Sequence, residues 1–374
     1  MNPRSLTWVH FGDLHMTESG RQNHHDFVAL IDAVNTHLAG KIDFCFLPGD
    51  NADNGTVPQY GVIRSALDRL QIPLRVIPGD HDRESGNLDA FYAGLGVEPL
   101  PHGWSVNGYR CLFLDVVSAG TGGPDFRLSA RDFDWLESQL AGAEQRGEAS
   151  LLFMHTYPAD LREGSDRLLY LLRRHSVLTV DMGHTHYNEL ANDGNTIYAT
   201  TRSTGQVEEG PVGFSIMNVE GTVVSWRFKP LGSEWPFVMI NRPADTRLAT
   251  RLGESSGPDG SELLVVARAW SAAGIRSCRC RVNGRDWRSM KPLPEGNGTR
   301  WMLSCEKNFL PRVITVEAAD FTGNIGTDSI VLDDSVNGSQ GRIANGSDAD
   351  RVGEWRERHI LGTQLGPNRN GRHW

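Results

Sequence analysis

The chain has little cysteine, no basic excess and no long apolar run, and each shortage removes a class of explanation. Cys45, Cys111, Cys278, Cys280 and Cys305 are the five cysteines of a 374-residue chain, an odd number with no C-x-x-C pair. Neither a disulfide framework nor a zinc ribbon is indicated, so the thiols read as reduced. Lys and Arg total 37 against 46 Asp and Glu, a formal charge of −9. No global positive field exists to hold a polyanion, and nucleic acid is not an expected partner. No apolar run approaches the ~18 residues of a membrane span. The first nine residues lead into a strand-like segment without the apolar stretch of a signal peptide; a cytoplasmic protein with no membrane partner is expected. Missing too are G-x-x-x-x-G-K, G-x-S-x-G and a G-x-G-x-x-G followed by an acidic residue, so phosphate-loop, serine-hydrolase and dinucleotide mechanisms find no foothold.

What is present has two textures. To about residue 230, short runs rich in β-branched and aromatic residues alternate with stretches of helical period, an α/β pattern. Candidate strands are Leu6–Phe11, Ile42–Leu47, Leu74–Ile77, Tyr109–Val116, Leu151–Met154 and Val177–Val180, then Asn195–Thr200, Gly213–Val219 and Val223–Lys229. Phe27, Leu30, Ile31, Val34 and Leu38 form one helical stripe. Ser129 caps a second helix carrying Phe133, Leu136 and Leu140, and residues 162–174 make a third. Residues 233–255 hold Pro, Gly and Ser punctuation and read as a linker. From 256 to 334, six short alternating strands, with Asn283-Gly284 as a hairpin signal, predict an all-β sandwich. Residues 335–374 read as an extended tail docked in part through its aromatics. Cys278 and Cys280, two apart on one strand, read as core thiols.

Five short segments place carboxylates and imidazoles where candidate strands end: Gly12-Asp13-Leu14-His15, Gly49-Asp50-Asn51, Gly79-Asp80-His81-Asp82, Met154-His155-Thr156 and Gly183-His184-Thr185-His186. In an open α/β sheet the carboxyl ends of strands share one crevice, so distant segments meet there. Asp and His together suit zinc, manganese or iron rather than the oxygen-only shells of calcium or magnesium. Two donors spaced two apart on an extended segment lie on one face and can grip the same or neighbouring ions. Seven ligands exceed one tetrahedral ion and suit two ions bridged by a carboxylate.

The ordered set D-x-H, G-D, G-D-H-D, H and G-H-T-H resembles the calcineurin-like metallophosphoesterases over roughly residues 5–230. Asp13-Leu14-His15, Phe153-Met154-His155 and Gly183-His184-Thr185-His186 are similar to the bacterial cyclic-nucleotide and glycerophosphodiester phosphodiesterase branch. The resemblance implies a four-layer α/β sandwich over 1–232. It also implies two metal ions of the Fe, Mn or Zn type, one held by Asp13, His15, Asp50 and His186 and the other by Asp50, Asp80, His155 and His184. Asp50 then bridges, His81 stands beside the leaving oxygen, and a metal-bound hydroxide attacks a small phosphodiester. A phosphomonoesterase, or a metal- or nucleotide-binding regulatory protein with weak catalysis, are the alternatives. The third segment usually reads G-N-H in this family. Asp80 adds a charge that favours metal binding but lowers Lewis acidity and repels phosphate. The second unit resembles immunoglobulin-like modules, which serve packing, homo-oligomerisation or substrate framing. Arg202, Asn54, His24 and Tyr157 are the expected substrate-side residues, Arg202 through its fork of donors.

Overall fold

In the computed structural model, whose described residues are 4–252, 262–306, 312–332 and 350–362, the first strand, β1 (Ser5–Phe11), serves two cores at once. Leu6 and Trp8 join one apolar cluster and Val9 and Phe11 another, as period-two alternation dictates for a strand buried on both faces. β1 is central in a five-stranded sheet ordered β11 (Val223–Pro230), β10 (Gly213–Glu220), β1, β2 (Phe44–Leu47) and β3 (Leu74–Val76). β1, β2 and β3 are parallel, and β10 runs against β1. A six-stranded sheet follows the order β4 (His102–Val106), β5 (Tyr109–Phe113), β6 (Ala149–Phe153), β7 (Thr179–Met182), β9 (Ile197–Thr200) and β8 (Glu189–Asn192). Within it β5, β6, β7 and β9 are parallel.

The two sheets meet through aromatic rings. Phe153 lies 4.5–5.9 Å by ring centroids from Phe113, Phe46, Trp8 and Phe44, drawn from both sheets. Beside them, the buried carboxylate of Asp181 on β7 accepts from Trp8 Nε1 at 2.7 Å and pairs with His10 Nδ1 at 2.6 Å. A polar clasp thus fixes one sheet over the other inside an apolar layer, and such a group is costly to leave unpaired. Helices cover the outer faces. The stripe of α1 (Gln22–Leu38) is buried as its period requires, with Phe27 edge-on to Phe11. The cap at Ser129 closes a full capping box on α4 (Ala130–Gln145), which packs on β5 and β6. Helices α2 (Val57–Leu67), α3 (Asp89–Leu95) and α5 (Ser165–Arg174) complete the layers. The first two lack a long periodic stripe and were not apparent in the sequence.

The stretch 233–255 is not simply a linker: it contains β12 (Phe237–Arg242), the edge strand of a second pair of sheets. All six residues of β12 are buried; Val238 and Ile240 face the sandwich core while Phe237 and Met239 join the α/β core. A strand buried on both sides shows no polar alternation to read. Its neighbours are β13 (Glu262–Trp270) and β17 (Arg300–Glu306), flanked by the short β16 (Lys291–Pro292). The facing sheet is β15 (Arg288–Ser289), β14 (Ile275–Val282), β18 (Val313–Asp320) and β19 (Ile325–Val331). The hairpin after Val282 turns through Asn283 and Gly284, both at positive φ. Cys278 and Cys280 sit in this core as free thiols, and burial pushes the Cys278 thiol up. The sandwich touches the α/β layers where His37 stacks on Trp235 at 3.8 Å and Lys41 Nζ donates to the Ser271 carbonyl at 2.9 Å. Of the tail, 350–362 docks on the six-stranded sheet, with Arg351 bridging to Ala191 and Trp355 buried under Arg247. Leu365 and Trp374 lie outside the described residues. No helix among the described residues is long and apolar enough to cross a membrane.

The clasp generates a stability prediction. Asp181→Ala strands the Trp8 and His10 donors in an apolar layer and should lower unfolding free energy by about 3 kcal/mol, measured by urea titration. A loss below about 1 kcal/mol would show that the rings alone set the sheet pairing.

Candidate metal centre

The parallel strands decide where the polar segments go. β1, β2 and β3 end on the edge where Asp13, His15, Asp50 and Asp80 follow, and β6 and β7 end where His155, His184 and His186 follow. Because the two sheets are stacked, these endings face one another across a single crevice. The structure brings together all seven residues that the sequence singled out. They form two buried groups, Asp13, His15, Asp50 and His186, and Asp50, Asp80, His155 and His184; within each, one donor atom per residue lies within 4.8 Å of the others. Asp50 belongs to both.

Apart from His15 Nε2 and His186 Nε2, which lie 2.9 Å apart, distances within the groups are those of donors aimed at a shared point rather than at each other. His15 Nε2 is 3.7 Å from Asp50 Oδ2 and His186 Nε2 is 3.6 Å from Asp13 Oδ2. His155 Nε2 is 3.4 Å from Asp50 Oδ2 and 3.3 Å from Asp80 Oδ1, which lies 3.5 Å from His184 Nδ1. Asp13 Oδ1, Asp80 Oδ1 and His155 Nε2 are buried without a hydrogen bond, an arrangement that is costly unless a cation completes it. The His155 Nδ1–H donates to the Pro48 carbonyl at 2.8 Å, leaving Nε2 as the nitrogen that faces Asp50 and Asp80, the usual way a ligating imidazole is oriented.

Backbone strain and close approach single out the same place. His15, Asp50, His184 and His186 have φ of 40°, 48°, 67° and 63°, a left-handed region uncommon for such residues that gathers at functional sites. The glycines of the motifs are the other half of this. A Cβ at Gly79 would lie 2.2 Å from Asp50 Oδ1 and one at Gly183 would lie 2.4 Å from Asp13 Oδ1; only hydrogen fits where backbone passes so near the carboxylates.

The electrostatics follow from three carboxylates and four imidazoles in a dry crevice. Burial, reinforced by Asp50, raises the Asp13 carboxyl above its ordinary range. At Asp50 and Asp80 burial pulls the same way, but His155 and its neighbours outweigh it and hold both carboxyls low. The same acids drive His155 well above an ordinary imidazole against its own burial. The donor set fits two adjacent ions of borderline hardness, and no lysine or arginine forms an ion pair with Asp13, Asp50 or Asp80 among the described residues.

Outside the ligand groups the expectations divide. His81 is half-buried at the rim: its backbone N–H donates to Asp50 Oδ1 at 3.0 Å and its Nδ1–H to the Asp53 carbonyl at 2.8 Å. Burial disfavours its charge, yet Asp50, Asp80 and Glu84 hold its pKa above the ordinary value. Asn54 is exposed and lines a cleft of about 720 Å³ that reaches His15. His24, by contrast, accepts from the Gly20 amide at 3.2 Å and is not among the cleft's lining residues; its neighbour Asn23 lines the cleft and holds the carbonyls of Leu14 and His15. Tyr157 is fully buried in the α/β core against Tyr198. Arg202 is also fully buried; its guanidinium lies over Phe228, pairs with Glu209 at 3.3 Å and donates to the His359 carbonyl at 2.7 Å. It is a structural tie to the tail, not a phosphate fork. Two residues that the sequence did not single out adjoin His15. Gln206 and Asp53 sit 3.1 and 3.5 Å from His15 Nδ1. Asp82, the last residue of the third motif, accepts from the amides of Asn51, Ala52 and Gly79 and from Tyr60, clamping the loop after β2 to the loop after β3.

Comparison with known proteins agrees with this geometry. Residues 6–188 match the family model described as calcineurin-like phosphoesterase. The chain is 28% identical over 200 residues to a glycerophosphodiester phosphodiesterase of Enterobacter lignolyticus, covering 48% of this chain and 70% of that one. It is 25% identical over 250 residues to the 3',5'-cyclic adenosine monophosphate phosphodiesterase of Escherichia coli K12, covering 63% and 87%. Among solved structures, a dimetal phosphatase from Danio rerio aligns with a TM-score of 0.50 at 13% identity, over 63% of this chain and 98% of that chain, a likeness of fold. The α/β part of the chain, with two overlapping Asp/His groups at the shared edge of its stacked sheets, is thus similar in sequence to the calcineurin-like phosphoesterases over residues 6–188.

Proposed function

We propose that the chain hydrolyses a small phosphodiester of the glycerophosphodiester or cyclic-nucleotide type at a two-metal centre. One ion is held by Asp13, His15, Asp50 and His186, the other by Asp50, Asp80, His155 and His184. The observation that carries this reading is the pair of buried four-residue groups with Asp50 in common. When bound, such a pair supplies Lewis acidity and makes a hydroxide nucleophile available at neutral pH.

The chain's own residues do the rest. The paired ring contacts and the Pro48 carbonyl keep His155 turned toward Asp50 and Asp80, and Gln206 and Asp53 steady His15. The carbonyl of Asp53 fixes the Nδ1–H of His81, so Nε2 is the nitrogen available to the oxygen that departs as an alkoxide. Diester specificity is supported by the cleft beside His15. It is lined by the neutral side chains of Asn23, Asn54, Gln59 and Gln206, each hydrogen-bonded within the protein, and Arg21 on it pairs with Glu18 at 3.3 Å. That lining suits a singly charged diester better than a doubly charged monoester. The relatives named for diester hydrolysis point the same way. The β-sandwich fits an immunoglobulin-like module by its paired four-stranded sheets and its late turn at Asp320–Asn324.

The reading predicts that the manganese-loaded chain turns over bis-p-nitrophenyl phosphate at least about tenfold faster than p-nitrophenyl phosphate; the reverse order would move the assignment to a monoesterase. Removing the bridge in Asp50→Ala should lower bound metal from about two ions per chain to one or none by elemental analysis, with turnover falling at least about 10³-fold. Wild-type metal content and rate in that variant would refute the bridge. If His81 assists the leaving group, His81→Ala should slow alkyl diesters by about 10²-fold or more while barely affecting p-nitrophenyl esters, whose leaving group needs no proton. Equal losses on both would assign His81 to binding instead.

A further inference from the structure

A second polar cavity lies at the opposite end of β1, where the α/β layers meet the sandwich. It has a volume of about 450 Å³ and is walled by Arg4, Lys41, Asp43, Asn107, Arg268 and Arg300, with Glu295 and Asn297 at the sandwich side. β1 runs from Ser5, on this cavity's wall, toward Asp13 at the metal centre, so eight residues at about 3.3 Å each put the two sites on the order of 25 Å apart.

Apart from Arg300, which pairs with Glu220, the cations here donate to neutral groups. Arg268 is 6% exposed. Its Nη1 and Nη2 donate to the hydroxyls of Thr299 and Ser5 at 3.0 and 3.1 Å, and its buried Nε has no hydrogen bond. Lys41 Nζ donates only to the carbonyls of His37 and Ser271, both at 2.9 Å, and Arg4 Nη1 donates to the Gly147 carbonyl at 2.8 Å. Of the acids nearby, Glu220 is taken up by Arg300. Asp43 accepts from the Thr7 amide and from Asn107, and Glu295 is exposed at the mouth, where water screens it. Among the described residues Arg4, Lys41 and Arg268 wall the cavity without an ion pair to a carboxylate; Glu220 and Asp43 favour the charge of the buried Arg268 from further off, and its unbonded Nε leaves a donor for an anion to fill. Two guanidinium forks and an ammonium are the donor types that recognise phosphate, and the volume falls in the range of ligand pockets.

We infer that this cavity is a phosphate-binding site, remote from the metal centre, for inorganic phosphate or a small phosphomonoester. The inference stands apart from the proposed diester hydrolysis, since none of its residues belongs to that centre.

The test is equilibrium dialysis of the full-length chain against radiolabelled inorganic phosphate, with Asp50→Ala used to disable the metal centre as a competing site. The Asp50→Ala chain should still bind about one phosphate. Adding Arg268→Gln or Lys41→Met should weaken that binding by at least about tenfold. Lys41→Met, at a partly exposed position, keeps the test alive if Arg268→Gln fails to fold. Arg268→Gln or Lys41→Met in the otherwise wild-type chain should leave diester turnover within about twofold. Displacement by glycerol 3-phosphate at lower concentration than by phosphate would identify an ester as the ligand, and the opposite order the free ion. No phosphate bound by Asp50→Ala, unchanged binding in Lys41→Met, or equal competition by acetate would overturn the site.

Discussion

Three carboxylates in one dry crevice repel one another, and that repulsion is the constraint around which the rest of the α/β layers are arranged. Asp13, Asp50 and Asp80 are each less than about a tenth exposed and have only histidines as ion-pair partners among the described residues. Histidine can relieve the repulsion only by taking up protons, as the raised pKa of His155 records. Two dications relieve it without protons and leave the imidazoles neutral, which is the form that ligates. The strained backbone fits the same account. Four of the seven donors sit at positive φ, a conformation costing of order 1 kcal/mol each, and the binding energy of a metal is large enough to hold them there.

The surrounding fold supplies rigidity where this arrangement needs it. Stacking Phe153 among four rings fixes the spacing of the sheets, and the Asp181 clasp fixes their relative position along the strands. Donors arriving from β1, β2 and β3 on one sheet and from β6 and β7 on the other are therefore held to a common point. Asp82 extends the same control into the loops, tying four donors to one carboxylate so that Asp50 and Asp80 approach together.

How far the sequence could be read follows from these causes. The seven donors were legible because strand ends impose a pattern: an apolar run, then Asp or His, with a glycine that allows close approach between them in every segment but that of His155. Arg202 shares that position at the end of β9 and still points elsewhere, because the direction of a long side chain depends on what Glu209 and the tail offer it, over distances of 7 and 157 residues. Tyr157 follows a donor by two positions but turns into the core, where its ring is worth more than at a polar rim. Gln206, Asp53 and Asn23 were invisible for the opposite reason: polar residues in loops carry no periodicity, and their proximity to His15 is made by the fold alone. The strand β12 escaped because burial on both faces erases alternation.

The position of the sandwich narrows what it does. Its contacts with the α/β layers run through His37, Lys41 and Ser5 at the amino ends of β1 and β2, and through Glu220 and Arg227 on β10 and β11. The cleft at the carboxyl ends is lined instead by residues between His15 and Gln206, all from the α/β layers. Among the described residues the sandwich therefore frames no part of that cleft, and an influence on turnover has to travel along the strands. β1 is the direct route: it begins beside Arg268 and leads into Asp13 and His15. That strand is clasped by Asp181 along the way, so the cavity at its amino end and the metal centre at its carboxyl end share one buried element although no residue belongs to both.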